Sequence, residues 1–278
     1  MSGFYWLASY PKSGNTWMRL FLESLLTDGK TPDINKLTLG INNVANRDLF
    51  DCILDIESSE LIDEEILKAR PAQYEIEARE AKAPLIRKVH DAWRFTPSGV
   101  PLFPPELTLG AIYLVRDPRD VALSFAHHAS WTVDRTIKFM ADPEAELESS
   151  NSRITSQLAQ KVGSWSMHCQ SWLDAPIPKL LLRYEDMVSD PLAGFSEVAS
   201  FLRIETEQEN VESAIAAVHF DRLRKFEEAY GFSEKPPGME HFFRKGVLGG
   251  WKESLNKEQI ARIEADHGAV MKKLGYLL

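Results

Sequence analysis

The chain places a lysine, a serine, a threonine and a glycine within one short stretch, Tyr10–Trp17, with the sequence YPKSGNTW. An apolar run precedes this stretch, and Trp17, Leu20, Phe21 and Leu25 continue from it at helical spacing. The stretch is therefore predicted to be a tight loop between a strand and a helix. Backbone N–H groups in the first turn of a helix and the helix dipole both attract an anion. The pattern predicts a site for a phosphate or sulfate group.

A second cluster lies in residues 113–125, with the sequence YLVRDPRDVALSF. Arg116 is expected where an apolar strand ends, and Asp117-Pro118 is typical of a helix start. Ser124 would lie about two turns into that helix and can share a face with its first turn. A guanidinium and a hydroxyl could then bind one phosphate. The alternative is an exposed arginine that pairs with a neighbouring aspartate, beside a solvated serine.

A third cluster, residues 243–252, reads FRKGVLGGWK. Two adjacent cations followed by a glycine allow the backbone to close on an anion, although solvated basic loops with this pattern are common. The whole chain is acidic, since 32 Lys and Arg against 41 Asp and Glu give a net charge of −9. Three separate cationic clusters in an acidic chain favour a ligand with several anionic groups.

The first cluster is not a Walker A motif, because Lys12 comes before the loop glycine and the spacing Gly-x4-Gly-Lys is absent. The alternative to an anion-binding loop is an ordinary turn between strand and helix, in which Ser13 caps the helix. A kinase that uses ATP and Mg²⁺ would require the missing motif and a metal-binding aspartate at a strand end.

His90 ends a predicted strand at 84–90, and Lys88, two residues earlier, would face the same side. An imidazole with an ordinary pKa of about 6.5 suits proton abstraction near neutral pH. The alternative for His90 is a structural histidine at the end of a strand.

Strands alternating with helices position these residues. Such alternation predicts an α/β fold with a parallel sheet covered by helices on both faces, in a single domain over residues 1–278. Ligands of such sheets bind beyond the carboxyl ends of the strands, so the polar strand ends are expected to converge on one cleft. The predicted strands are 4–8, 84–90, 109–116 and 179–184, and the predicted helices include 14–27, 61–80 and one that begins after an Asn256 cap. Residues 142–153, acidic and rich in serine, are expected to form a loop.

The composition of the chain argues against several classes of protein. The hydrophobic fraction of 44% and the charged fraction of 26% are typical of a soluble globular protein, and no apolar run approaches the ~20 residues of a membrane span. No secretory signal pattern is visible, so a cytoplasmic location is predicted. The acidic charge argues against nucleic acid as a partner. With only Cys52 and Cys169, a disulfide framework or a cysteine zinc site is not expected, and the predicted chemistry uses no metal.

Together, and in this order, the three clusters resemble motifs of the cytosolic-type sulfotransferases, which use 3′-phosphoadenosine 5′-phosphosulfate (PAPS) and release the bisphosphate PAP. The likeness is to a bacterial-like member and runs from about residue 5 to 255. It also includes GSW at 163–165 and LRYEDM at 182–187. The resemblance implies a P-loop-like fold and transfer of a sulfuryl group to a hydroxyl, or less readily an amine, of a small acceptor.

The resemblance also implies a role for each matched residue. His90 would be the catalytic base, Lys12 would contact the bridging oxygen between sulfuryl group and nucleotide, and Lys88 would steady the sulfuryl oxygens. Ser124 is counted with both the catalytic and the 3′-phosphate-binding residues. The nucleotide would be held by Lys12, Ser13, Gly14, Asn15, Thr16 and Trp17 at its 5′ end and adenine, by Tyr184 and Phe220 near the adenine, and by Arg116, Ser124, Arg244, Lys245 and Gly246 at its 3′-phosphate.

Some positions depart from the family pattern. Asn15 and Gly250 stand where threonine and aspartate are common, and Val218-His219-Phe220 replaces Thr-Ser-Phe. The dimer motif of animal members is not matched after Lys252, so the oligomeric state stays open. Aromatic and apolar residues in the variable segments, such as Trp131, indicate an apolar or aromatic acceptor, or simply pack the loops. A nucleotide-binding regulator without catalysis is the remaining alternative.

Overall fold

The computed structural model describes residues 2–37, 42–149, 154–235, 239–243 and 248–278. The chain divides into two compact units, each assembled from three segments. Unit 1 comprises Met1–Tyr10, Ile41–Tyr113 and Met140–Leu180, and unit 2 comprises Pro11–Gly40, Leu114–Phe139 and Leu181–Leu278.

The framework is a four-stranded parallel sheet flanked by helices, with the order β2-β1-β3-β6. Its strands are β1 (Phe4–Ser9), β2 (Leu85–Val89), β3 (Thr108–Val115) and β6 (Lys179–Arg183). The β1–β2 register runs from Phe4 opposite Leu85 to Ala8 opposite Val89. Every residue of β1 and most of β3 are buried, as near-continuous apolar runs in a parallel sheet require. The predicted α/β fold class is confirmed.

Twelve α-helices lie in the described ranges, and several begin where the sequence indicates. Asp117 accepts a hydrogen bond from Arg119 N at 2.9 Å and so caps α4, and Asn256 caps α12 in a capping box with Gln259. The helices are α1 (Asn15–Leu25), α2 (Arg47–Leu54), α3 (Asp63–Glu80), α4 (Pro118–Ala129), α5 (Val133–Ala141), α6 (Trp165–Asp174), α7 (Tyr184–Ser189), α8 (Pro191–Phe201), α9 (Gln208–Ala217), α10 (Phe220–Tyr230), α11 (Trp251–Ser254) and α12 (Lys257–Lys273).

The acidic segment is more ordered than a simple loop. Glu146–Leu147 (β4) pairs antiparallel with Gln160–Lys161 (β5), and residues 150–153 lie outside the described residues. The loop prediction is wrong for β4, because its pairing partner lies beyond the acidic run and no local pattern indicates it. Short 3₁₀ helices occur at Ser58–Glu60 and Pro105–Leu107.

Each unit has its own aromatic core. In unit 1, Trp6 stacks on Phe4 with ring centroids 4.6 Å apart, and Phe103 lies 5.1 Å from Trp6. In unit 2, Phe21 of α1 stacks on Phe195 of α8 at 3.9 Å. Burial of such rings removes large apolar areas from water and stabilises each unit. Across the described ranges, none of the helices has the length and apolar character needed to cross a membrane.

Candidate active site

The loop between β1 and α1 has an unusual backbone. Lys12 has φ +71° and Gly14 has φ +100°, both in the left-handed region that side-chain-bearing residues avoid. A Cβ at Gly14 would lie 2.8 Å from Cδ2 of Tyr184, so a side chain at this position would collide with the ring. Gly14 is also the N-cap of α1, and a glycine cannot cap the helix with a side chain. The first-turn N–H groups of α1 therefore lack the usual side-chain acceptor.

Ser13 is buried at this point, with 1% of its surface exposed. Its hydroxyl is buried and has no hydrogen-bond partner among the described residues. Because a buried hydroxyl without a partner costs free energy, its presence beside an uncapped helix start fits an anionic ligand that would accept from it. The loop residues thus fit the 5′ end of the nucleotide that the sequence implies.

Arg116 follows β3 and belongs to the same cluster. Its guanidinium lies over the Tyr184 ring, 4.5 Å from the centroid, and Nη1 donates to Lys12 O at 3.3 Å. Its Nε is buried and has no acceptor within the described part of the chain. Trp17 meets Tyr184 edge-on, with centroids 6.0 Å apart. Lys12, Gly14, Trp17, Arg116 and Tyr184 are therefore brought together in unit 2, as five of the predicted nucleotide-binding residues.

The other predicted nucleotide-binding residues are placed as follows. Asn15 and Thr16 open α1, and the Thr16 hydroxyl accepts from Arg19 Nη2 at 3.5 Å. Ser124 is half-buried on α4, and Phe220 is the first residue of α10. Arg244, Lys245 and Gly246 lie outside the described residues.

Two buried carboxylates, neither predicted, bind the backbone on either side of residues 244–247. Glu227 of α10 accepts from Phe242 N at 2.6 Å and Phe243 N at 2.9 Å. Asp120 of α4 accepts from Gly249 N at 2.8 Å and Trp251 N at 3.0 Å. Asp120 lies in the second cluster, residues 113–125, but that sequence does not indicate which groups the Asp120 carboxylate binds. No sequence pattern pointed to Glu227.

Phe242 is a further residue that the sequence did not single out. The ammonium of Lys12 lies over its ring, with Nζ 4.3 Å from the centroid. This is the geometry of a cation–π contact, which restricts where the flexible lysine head can point.

Glu185 supports the segment that follows Arg116. Its carboxylate accepts from Asp117 N at 2.9 Å and from the Tyr276 hydroxyl at 2.9 Å. Burial raises the pKa of Glu185, and these hydrogen bonds act in the opposite direction. The residue after Arg116 is thereby tied to the C-terminal region of unit 2.

His90 lies in unit 1, directly after β2. Its Nδ1 is 2.8 Å from the carbonyl oxygen of Ser9 and 3.4 Å from the Ser9 hydroxyl. Because a carbonyl can only accept, Nδ1 carries the hydrogen in the neutral ring and the lone pair resides on Nε2. The structure thus gives His90 a defined tautomer with Nε2 as the basic atom.

Lys88 and His90 are both half-buried, and Val89 between them is fully buried. The backbone of Lys88 is held on the strand's outer side, where its N donates to Asn42 O at 2.9 Å and its O accepts from Val44 N at 3.0 Å. His90 lies two residues after Lys88, directly beyond β2, the spacing at which side chains of an extended chain point to the same side.

In the parts of the chain that the structure describes, no group of three or more His, Cys, Asp or Glu side chains could hold a metal ion. The expectation that the chemistry uses no metal stays a prediction.

Comparison with known proteins identifies the family of the chain. A family model described as “Sulfotransferase domain” matches residues 4–275. Sulfotransferase 1A1 of Canis lupus familiaris is 26% identical over 277 residues, covering 97% of this chain and 83% of that protein. Sulfotransferase 1B1 of Mus musculus is 24% identical over 266 residues, covering 93% of this chain and 79% of that protein.

Solved structures share the fold. A retinol dehydratase in complex with androsterone and inactive cofactor PAP matches with a TM-score of 0.64 and 20% identity, over 97% of this chain and 80% of that one. A mouse sulfotransferase, SULT7A1, complexed with PAP matches with a TM-score of 0.60 and 17% identity, over 97% and 84% of the two chains. The chain belongs to the sulfotransferase family and is an enzyme of that family. The resemblance read from its motifs is confirmed.

Proposed function

We propose that the chain transfers a sulfuryl group from PAPS to a hydroxyl, or less readily an amine, of a small apolar or aromatic acceptor. The observation that carries this proposal is the loop of unit 2, in which the buried Ser13 hydroxyl has no hydrogen-bond partner among the described residues and lies at the uncapped start of α1. Arg116, joined to the same loop through Lys12 O, adds a cation next to it. Two anion-binding elements suit a nucleotide with phosphates at both its 5′ and 3′ positions.

PAPS would supply a sulfuryl group whose bond to a phosphate oxygen breaks as a bond to the acceptor oxygen forms. Lys12 would neutralise the charge that develops on the leaving phosphate oxygen, because an ammonium at that point stabilises the transition state more than the ground state. Its contact with Phe242 supports this role, since the ring limits the positions open to Nζ. Ser13, Gly14, Asn15, Thr16 and Trp17 would hold the 5′ end and the adenine.

His90 would act as the general base. Its Nε2, which carries the lone pair, would take the proton of the acceptor hydroxyl while Nδ1 keeps its hydrogen bond to Ser9 O. Lys88, two residues before His90, would steady the sulfuryl oxygens. Tyr184 and Phe220 are assigned to the adenine end, and Arg116, Ser124, Arg244, Lys245 and Gly246 to the 3′-phosphate.

The acceptor class rests on aromatic residues of unit 2. Phe232 and Phe242 lie edge-on with centroids 4.7 Å apart, and Phe242 borders Lys12. By contrast, Trp131 and Phe139 pack on one another at 5.4 Å and serve to hold α5.

Given the ordinary composition and the two cysteines, we place the reaction in the cytoplasm.

A screen of hydroxyl and amine acceptors with labelled PAPS, in metal-free buffer with a chelator, tests the proposal. We expect at least one acceptor to gain the mass of one sulfuryl group. In a parallel assay without chelator, phosphoryl transfer from ATP with Mg²⁺ would instead identify a kinase. Tight PAP binding with no transfer to any acceptor would identify a nucleotide-binding regulator.

A further inference from the structure

α6 holds the end of β2 at two consecutive residues. His168 and Trp172 lie four residues apart and therefore share one face of the helix. His168 Nε2 is 3.1 Å from the carbonyl oxygen of His90, and Trp172 Nε1 donates to the carbonyl oxygen of Asp91 at 3.0 Å. Neither contact is visible in a local sequence pattern, because the partners are far apart along the chain.

The Asp91 side chain is fixed independently. Its carboxylate forms a fully buried ion pair with Arg70 at 2.8 Å and accepts from Lys161 N at 3.1 Å. The backbone after His90 is therefore anchored without His168. The contact specific to His168 is the one to the backbone carbonyl of His90.

His168 is fully buried and sits in one tautomer. The His90 carbonyl can only accept, so His168 Nε2 carries the hydrogen, and Nδ1 then accepts from the Tyr113 hydroxyl at 2.9 Å. The ring also stacks on Tyr113, with centroids 5.8 Å apart, and meets Tyr10 edge-on at 5.4 Å. Burial lowers the pKa of His168 to about 3, so the ring is neutral wherever the protein is folded and active.

We propose that His168 is a positioning residue for the sulfuryl-transfer reaction, which acts by fixing the backbone carbonyl of His90 and hence the Nδ1–H contact of the base with Ser9 O. The inference rests on the proposed role of His90. A buried carbonyl that loses its donor must find another partner or shift, and the imidazole attached to the same residue shifts with it. His168 needs no contact with the reacting atoms to have this effect.

The test uses three substitutions that separate the two ring nitrogens. The amide nitrogen of His168→Gln can reach the place of Nε2 and donate to the His90 carbonyl. The shorter side chain of His168→Asn places its amide near Nδ1, which keeps a partner for Tyr113 and not for His90. His168→Leu removes both hydrogen bonds and retains bulk. Differential scanning calorimetry reports the stability of each variant.

Two measurements distinguish a positioning role of His168 from an effect of the substitutions on protein stability alone. The first is kcat at saturating PAPS, with PAP affinity measured on the same samples. We expect kcat to fall roughly 3- to 30-fold in His168→Asn and His168→Leu, with His168→Gln within about 2-fold of wild type and PAP affinity unchanged in all three. Equal kcat values in the Gln and Leu variants would overturn the proposal.

The second readout is the tautomer of His90, from the ¹⁵N chemical shifts of labelled histidine in the protein without nucleotide. The His90 signals are assigned by their loss in His90→Asn. We expect a single tautomer, with Nδ1 protonated, in wild type and His168→Gln, and a mixture in His168→Leu. An unchanged His90 tautomer in the Leu variant would contradict positioning. Because this readout needs no turnover, it decides the role of His168 even if the enzyme proves not to use PAPS.

Discussion

Lys12 carries a side chain in a conformation that glycine usually occupies. At φ +71°, a lysine costs about 1 kcal/mol or more relative to a relaxed backbone, and such strain persists where surrounding structure holds it. Here the Lys12 carbonyl accepts from Arg116 and its ammonium lies over Phe242. The strained residue is thus fixed at both its backbone and its side chain, which suits a group that must meet a developing charge.

Gly14→Ala, which adds one methyl group, tests whether the loop between β1 and α1 binds the nucleotide. The substitution combines φ +100° with a Cβ 2.8 Å from Tyr184, so we expect the free energy of unfolding to fall by about 1–3 kcal/mol and PAP affinity to fall by roughly 10-fold or more. Calorimetry and PAP titration measure the two effects. The matched control is Gly99→Ala, which has φ +79° and nothing within 4 Å of the new Cβ. If PAP affinity drops no more in Gly14→Ala than in the control, the loop between β1 and α1 does not bind the 5′ end of the nucleotide.

Among the secondary-structure elements, the start of α4 both caps its own helix and binds the backbone of a distant segment. Asp117 caps the helix, and Asp120, in its first turn, accepts N–H groups from Gly249 and Trp251. Arg119 between them donates to Asp117, to Glu264 and to the carbonyl of Tyr276. One short motif therefore fixes its own helix and segments more than a hundred residues away.

Asp120→Asn should weaken the attachment of the segment after residue 247. Loss of the charge-assisted hydrogen bonds costs about 1–3 kcal/mol, and we expect PAP affinity to fall between about 5- and 100-fold, with little change for adenosine 5′-monophosphate, which lacks the 3′-phosphate. Isothermal titration with both nucleotides measures the ratio. Asp221→Asn, an exposed first-turn aspartate of α10, is the control. Equal losses for the two nucleotides would argue against a link to the 3′-phosphate.

The sequence predicted those elements whose signals are local. The strand–loop–helix unit of β1 and α1 follows from an apolar run, a glycine and helical periodicity, and the starts of α4 and α12 follow from their caps. Residues 30–60 were not assigned to an element from the sequence, although they contain α2, in which Leu49, Phe50, Ile53 and Leu54 recur at helical spacing. Its Asn46 cap is local, but the neighbouring backbone is held by a pairing of Asn46 with Gln157. This pairing joins residues far apart along the chain, so no local pattern indicates it.

The same distinction applies to the site. Lys12, Gly14, Trp17, Arg116 and Tyr184 could be predicted as nucleotide-binding residues because the family resemblance marked each of them. The contacts of His90 with Ser9 and His168 could not, since they join residues 81 and 78 positions apart. Glu227 belongs to no recognised motif. Its role is visible only in the structure, where its carboxylate accepts from the backbone N–H groups of Phe242 and Phe243.

For the whole molecule, two buried neutral histidines predict acid sensitivity. Burial lowers the pKa of His168 to about 3 and that of His267 to about 4, against about 6.5 in the unfolded chain. Between pH 6.5 and those folded values, the unfolded state binds more protons than the folded state, so stability is full above about pH 6.5 and falls as the pH is lowered.

Urea unfolding from pH 7 to pH 4.5 measures this dependence. Each histidine should add up to about 1.4 kcal/mol per pH unit to the slope of unfolding free energy against pH. We expect His267→Gln to have a shallower slope than wild type by up to that amount, whatever its stability at pH 7. His219→Gln, which alters an exposed histidine, is the control. Parallel slopes for wild type and His267→Gln would show that His267 does not remain neutral in the folded state.

In the proposed function, the enzyme moves a sulfuryl group from PAPS with His90 as the base. The most direct measurement compares sulfated-product formation from PAPS by wild type and His90→Asn, on samples whose PAP affinity has been determined. The asparagine amide can still donate to the Ser9 carbonyl but cannot take the acceptor proton. We predict a loss of about 10²- to 10⁴-fold in turnover with PAP affinity retained. Ordinary turnover by His90→Asn would show that His90 is not the base.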